Sequence, residues 1–167
     1  MKKYKDYIVI IVILLLIFVS ISVLFNLDKK TDNVDENVYV IEQDYSNFFT
    51  VNSCINKYIQ FLVSKDTSSL LKVIDKKYIT DNNLNESNVI NSLGELNGIY
   101  NFVSKEMYKQ NKNDIEEYYV KGILQEEGIE SILSTTEQYY KLYLYEKNMT
   151  YSITPISASK YMEVLDE

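Results

Sequence analysis

The apolar positions of this chain change rhythm twice. From Ile8 to Phe25 (IVIIVILLLIFVSISVLF) they run without a charge, the only polar side-chain atoms being the hydroxyls of Ser20 and Ser22. A helix of that length reaches about 27 Å, close to the roughly 30 Å hydrocarbon core of a bilayer. This pattern predicts a transmembrane anchor over residues 8–27, a tail at 1–7, a stalk at 28–45 and a folded domain at 46–167. In the domain Phe48, Val51, Ile55, Tyr58, Ile59 and Leu62 recur at three and four, predicting an amphipathic helix with Ser46 as its N-cap. Asp66, ahead of Thr-Ser-Ser, caps a second helix bearing Leu70, Leu71 and Ile74 to about Lys76. Tyr78-Ile79 reads as an extended link. Asn85 reads as the cap of a short third helix with Val89, Ile90 and Leu93, ended by Gly94 or Gly98.

Beyond Gly98 the period shortens to two. Ile99–Gln110, Ile115–Gln125, Thr135–Glu146 and Met149–Ile156 read as strands, separated by turns at 111–114, at 126–130 around Gly128 and at Lys147-Asn148. Three short connections in succession predict an antiparallel meander of four strands. In the third strand Tyr139, Lys141, Tyr143 and Tyr145 face one way and Tyr140, Leu142 and Leu144 the other. Pro155, the only proline, suits the end of the last strand. A further short strand is expected at Val38-Tyr39-Val40-Ile41, and the tail from Ser157 to Leu165 has room for a helical turn. Helices first and a meander second make an α+β fold, with about three helices packed on the sheet and the long first helix as its cover.

Charge orients the anchor. Lys2, Lys3 and Lys5 precede the apolar run, while Lys29 and Lys30 follow it among Asp28, Asp32, Asp35 and Glu36. The lysine bias places the N-terminus in the cytoplasm and the domain outside, with the bilayer as a partner through Ile8–Phe25. A cleaved secretory signal, with Ser20 and Ser22 near the peptidase site, is the rival reading. The run continues through Val23, Leu24 and Phe25 without a polar break, which suits a retained signal-anchor. Beyond the span stand 14 lysines and 23 acids, a net charge of −9. Nucleic acid, whose phosphates demand clustered cations, is not expected as a partner. The chain has no Arg, His or Trp and is rich in Lys, Asn, Ile and Tyr, the codon drift of an AT-rich genome such as that of a low-GC bacterium. A single cysteine, Cys54, forms no internal disulfide and reads as a buried structural thiol in the first helix.

The order of elements, helices before a bent meander, resembles the NTF2-like cone. Joined to one N-terminal span it is similar to the VirB8-type conjugation and type IV secretion subunits: short cytoplasmic tail, single anchor, exterior NTF2-like domain. That resemblance implies a scaffold subunit that self-associates and binds other envelope components. It carries over no catalytic residue.

Reactive constellations are scarce. Without histidine there is no Ser-His-Asp triad, no Cys-His dyad and no imidazole metal site. The four glycines, at 94, 98, 122 and 128, form no phosphate-binding loop. Asp81-Asn82-Asn83-Leu84-Asn85 spaces oxygens as a calcium loop does, but Glu86 replaces the required glycine and Ser92 the bidentate acid, so it reads as a capped loop. The acidic stalk has no turn to converge its carboxylates. No cofactor, metal or catalytic residue is therefore expected.

The remaining signal is tyrosine, 16 of 167 residues, concentrated in the sheet. Tyrosine combines a broad apolar ring with a hydroxyl that tolerates water, which suits interfaces. β-propensity and AT-rich codons account for the same residues. Tyr119, Tyr139, Tyr143 and Tyr145 are the candidate interaction face, for a protein partner, a peptidoglycan-associated ligand or a second copy. Glu137, inside a strand among tyrosines, is the candidate pocket residue of an alternative ligand-binding or catalytic cone. Glu116-Glu117 and Glu126-Glu127 border turns and are expected to be hydrated. The expectation is a non-enzymatic single-pass membrane protein whose exterior domain makes protein contacts, plausible in an envelope or conjugation assembly. An exterior protein with no dedicated binding chemistry is compatible with the same residues.

Overall fold

Asp44, rather than Ser46, starts the first helix: its carboxylate accepts the Ser46 N–H at 2.8 Å, as an N-cap should. The computed structural model describes residues 39–112, 114–129, 131–145 and 150–165. The expected tail, span and most of the stalk lie outside the described residues, as does the turn at Lys147-Asn148. Among the described residues no helix is long and apolar enough to cross a membrane.

Helix α1 (Tyr45–Val63) buries Val51, Ile55, Tyr58, Ile59 and Leu62, the face its periodicity sets. Asp66 caps α2 (Thr67–Val73) through the Ser69 N–H. Tyr78-Ile79 is helical, not extended. Ile74 breaks the helix by taking an extended conformation and bridging Ile153. Asp75 then restarts it, its carboxylate accepting the Lys77 and Tyr78 N–H groups to cap α3 (Lys76–Asp81). Asn88, not Asn85, stands at the N-cap of α4 (Val89–Leu93), and Gly94 ends that helix at φ +96°. Asn85 instead closes the preceding turn, its side-chain oxygen accepting the Ser87 N–H.

The sheet has five strands, not four, in the order β1-β2-β3-β4-β5. β1 (Val40–Ile41) pairs with β2 (Ile99–Lys112), then follow β3 (Ile115–Glu127), β4 (Ile132–Tyr145) and β5 (Thr150–Pro155), all antiparallel. The expected short strand near Tyr39 is thus the extra member, held because Glu42 N–H also donates to the Met107 carbonyl. Five helices are described rather than about three. The last, α5 (Ala158–Leu165), is longer than the expected single turn. The fold is α+β, with an open antiparallel sheet.

Register decides what each face carries. Phe102, Met107, Tyr118, Val120, Leu124, Tyr140, Leu142 and Ile153 project from the sheet into one core with α1 and α2. Glu117, Tyr119, Lys121, Tyr139, Lys141 and Tyr143 alternate with them and take the opposite face. Gly122 sits beneath the Phe102 ring, opposite the bulge between Ser104 and Glu106. A Cβ there would overlap the Phe102 ring and meet the Val103 carbonyl oxygen at 2.5 Å. Gly122→Ala is expected to cost about 1–3 kcal/mol, since backbone as well as ring must move. Urea unfolding measures it, and an unchanged midpoint would contradict this packing.

Candidate functional site

Antiparallel register brings charge and tyrosine together on the face away from α1. Glu117 on β3 lies opposite Tyr143 on β4, and Tyr119 opposite Lys141. Lys141 Nζ meets Glu117 Oε1 at 2.5 Å, and the Tyr39 hydroxyl donates to the same carboxylate at 2.7 Å. Lys141 also stands over the Tyr119 and Tyr143 rings, 5.0 and 4.9 Å from their centroids. Tyr39 packs edge-on against Tyr119 at 5.1 Å. The cluster is closed: Glu117 is 4% exposed and Tyr119 5%.

Its electrostatics follow from that enclosure. Burial raises the Tyr39 phenol, and the Glu117 bond and charge raise it further. For Lys141 burial acts downward, but hydrogen bonds with Glu117, Tyr119 and Tyr143 and the Glu117 charge outweigh it, so the ammonium is held protonated. Burial likewise raises Tyr143.

A second cluster lies along the same face. Lys121 Nζ is 3.5 Å from Glu137 and 3.9 Å from Glu106, while the Tyr139 hydroxyl donates to Glu137. The Tyr139 bond and then Lys121 hold the Glu137 carboxyl below its ordinary range. Tyr161 of α5 is buried against the Tyr139 ring at 5.1 Å and the Tyr108 ring at 6.1 Å. A C-terminal helix thereby covers part of the tyrosine face.

The four candidate tyrosines share one face, as alternation requires. Tyr119 is nevertheless buried within it, and Tyr139 is packed beneath Tyr161, because the chain's own Tyr39 and α5 fold over them. Glu137 is about half exposed and faces away from the core between α1 and the sheet. Glu117, expected to be hydrated, is the most enclosed acid of the cluster. The strand's alternation already placed it beside Tyr119, but its cover comes from residues distant in sequence. Cys54 is half-buried against the core, and burial pushes its thiol up to about 11. That shift disfavours the reactive thiolate.

The described surface also holds an open groove of about 600 Å³ beside α1, with Phe49, Ser53, Lys57, Gln60, Tyr100 and Asn101 in its wall. A neighbouring groove of about 480 Å³ shares Lys57, Gln60 and Tyr100. Neither contains Glu137 or any of the four tyrosines. Among the described residues, no group of three or more His, Cys, Asp or Glu side chains is placed to hold a metal ion. No family model matches the chain, and no curated protein or solved structure matches it either.

The buried phenols predict an alkaline limit to stability. Burial lifts Tyr151 to about 12, raises Tyr58 and Tyr140 well above their ordinary value, and lifts Cys54. Unfolding returns phenols to about 10 and the thiol to about 8.5. The folded state then binds more protons than the unfolded one, so stability is complete below those values and falls as pH rises through them. The urea midpoint is expected to hold from about pH 7 to 8 and drop progressively between about 9 and 12. A midpoint flat to pH 12 would contradict the burial of these groups.

Proposed function

We infer that this chain is a single-pass membrane protein whose exterior α+β domain works through protein contacts rather than catalysis. The observation that carries the reading is how the helix-covered face of the sheet is filled. Phe102, Met107, Tyr118, Val120, Leu124, Tyr140, Leu142 and Ile153 pack with α1 and α2 into one core, which supports a filled domain over a ligand-binding cone. On the other face Glu117, Lys141, Lys121 and Glu137 are engaged with one another and with tyrosine hydroxyls. The uncharged run Ile8–Phe25 supports the anchor, and the lysine bias supports an exterior domain.

The order of elements supports an NTF2-like domain of the VirB8 type, and with it a scaffold role in an envelope or conjugation assembly. Glu137, the residue on which a catalytic or ligand-binding cone would rest, stands half exposed on the opposite face and is paired with Lys121 and Tyr139, which favours the scaffold.

Carbonate extraction of membranes, followed by protease treatment of intact protoplasts, tests the anchor and its orientation. The full chain is expected to stay in the pellet and its domain to be digested from outside. Release into the supernatant overturns the anchor. Cross-linking in those membranes tests the contacts: adducts with itself or with an envelope protein are expected. A chain that forms neither overturns the protein-contact reading.

A further inference from the structure

A helix as short as α5 is not stable alone in water and depends on what it packs against. Among the described side chains of α5 only Tyr161 is buried. Ala158, Ser159, Lys160, Met162 and Glu163 are exposed, and Val164 is half-buried. The Tyr161 ring lies 6.1 Å from Tyr108 on β2 and 5.1 Å from Tyr139 on β4, so it bridges the strands on either side of β3. A single ring anchors the helix to the sheet.

That ring is imperfectly matched to its seat. Tyr161 is 1% exposed, yet its hydroxyl has no hydrogen-bond partner among the described residues. Two other phenols of the same face are paired, Tyr139 donating to Glu137 and Tyr39 to Glu117. A buried hydroxyl left without a partner weakens the contact that encloses it, because water satisfies it on release. The seat accepts an aromatic ring and offers nothing to a phenol.

The backbone supplies a hinge. The Ile156 N–H donates to the Tyr139 carbonyl at 3.0 Å, which fixes the chain to β4 as far as that residue. Ser157 is exposed and bonds within the helix it starts. Its carbonyl accepts the Tyr161 N–H at 3.0 Å, and its hydroxyl oxygen accepts the Lys160 N–H at 3.2 Å. Rotation at Ser157 therefore lifts α5 without breaking a described hydrogen bond to the sheet. The core is untouched, since Phe102, Tyr140 and Leu142 lie on the other face.

We propose that α5 is a releasable cover: seated, it withholds the Tyr108 and Tyr139 rings from protein partners, and lifted about Ser157 it admits them. The proposal rests on the protein-contact reading and names how that contact is controlled. A partner's phenylalanine fills the vacated seat without burying a hydroxyl, so it is the side chain suited to displace Tyr161.

Hydrogen exchange of the full chain in detergent, read by mass spectrometry, tests the release. The amides of Tyr161 to Leu165 are expected to exchange at least about tenfold faster than those of Tyr140 to Leu144, because α5 opens while the sheet stays intact. Tyr161→Phe should slow exchange in α5 about tenfold by removing the buried hydroxyl. Tyr161→Ala should bring it to the unprotected rate with β4 still protected. Exchange of α5 only together with β4 overturns the proposal, because the helix is then part of the core. So does a Tyr161→Phe chain no slower than the parent, or a Tyr161→Ala chain whose sheet unfolds.

Cross-linking in membranes tests the control. Adduct yield is expected to rise severalfold in Tyr161→Ala and to fall in Tyr161→Phe. Equal or reversed yields overturn the cover and leave the protein-contact reading intact. No adduct in any of the three chains removes both.

Discussion

Lys141→Met is expected to destabilise the fold by about 3–5 kcal/mol, because it leaves a charge enclosed without its partner. Glu117 sits under Tyr39, opposite Tyr143 and within 2.5 Å of the Lys141 ammonium. With methionine at 141 only the Tyr39 hydroxyl remains to the carboxylate among the partners described here. Glu117→Gln should cost less. The amide keeps an acceptor for Tyr39, and Lys141 retains the faces of Tyr119 and Tyr143 and partial access to water.

The double substitution Glu117→Leu with Lys141→Leu should recover much of the loss, since removing both charges removes the cost of enclosing either. Urea unfolding of the three variants, followed by tyrosine fluorescence, ranks the losses. A Lys141→Met chain as stable as the parent would mean that Glu117 is hydrated, and the closed cluster would be wrong.

Phe102→Ala should cost about 3–5 kcal/mol for a different reason, a cavity at the centre of the core. The Phe102 ring lies edge-on to Tyr140 at 5.3 Å and covers Gly122, while Tyr140 in turn meets Tyr58 of α1 at 5.8 Å. Removing it opens the contact between helix and sheet. The same vacancy gives a Cβ at residue 122 somewhere to go. Gly122→Ala should therefore be less harmful in the Phe102→Ala background than in the parent, a coupling of about 0.5–3 kcal/mol. Strictly additive losses would show that the Val103 carbonyl, not the ring, sets the tolerance at Gly122.

The two faces of the sheet also divide the labour of specificity. The helix-covered face is apolar at its centre, with the Lys109–Glu116 ion pair beside Tyr118 at one end. The other face joins its members through ion pairs and hydroxyls whose geometry must be met together. Tyr39 and Tyr161 close it from outside the main meander, linking the segment before β1 and the C-terminal helix to the central strands.

Much of this architecture is written in local periodicity. Spacings of three and four give α1 its buried face of Val51, Ile55, Tyr58, Ile59 and Leu62. Alternation gives the meander and separates Tyr139, Lys141 and Tyr143 from Tyr140 and Leu142. These features are legible because a side chain's direction depends on its own few neighbours in sequence. Whether a face is wet depends on what folds over it. Glu117 reads as a hydrated acid near a turn until Tyr39, 78 residues earlier, bonds to it. Tyr78-Ile79 reads as a link until the Ile74 bridge to Ile153 leaves Asp75 free to cap a new helix. The asparagines of α1 look like ordinary surface residues until β2 lies beside them. Sequence alone determined the elements and the faces they present; only the long-range contacts decided which of those faces were covered, because cover comes from residues distant in the chain.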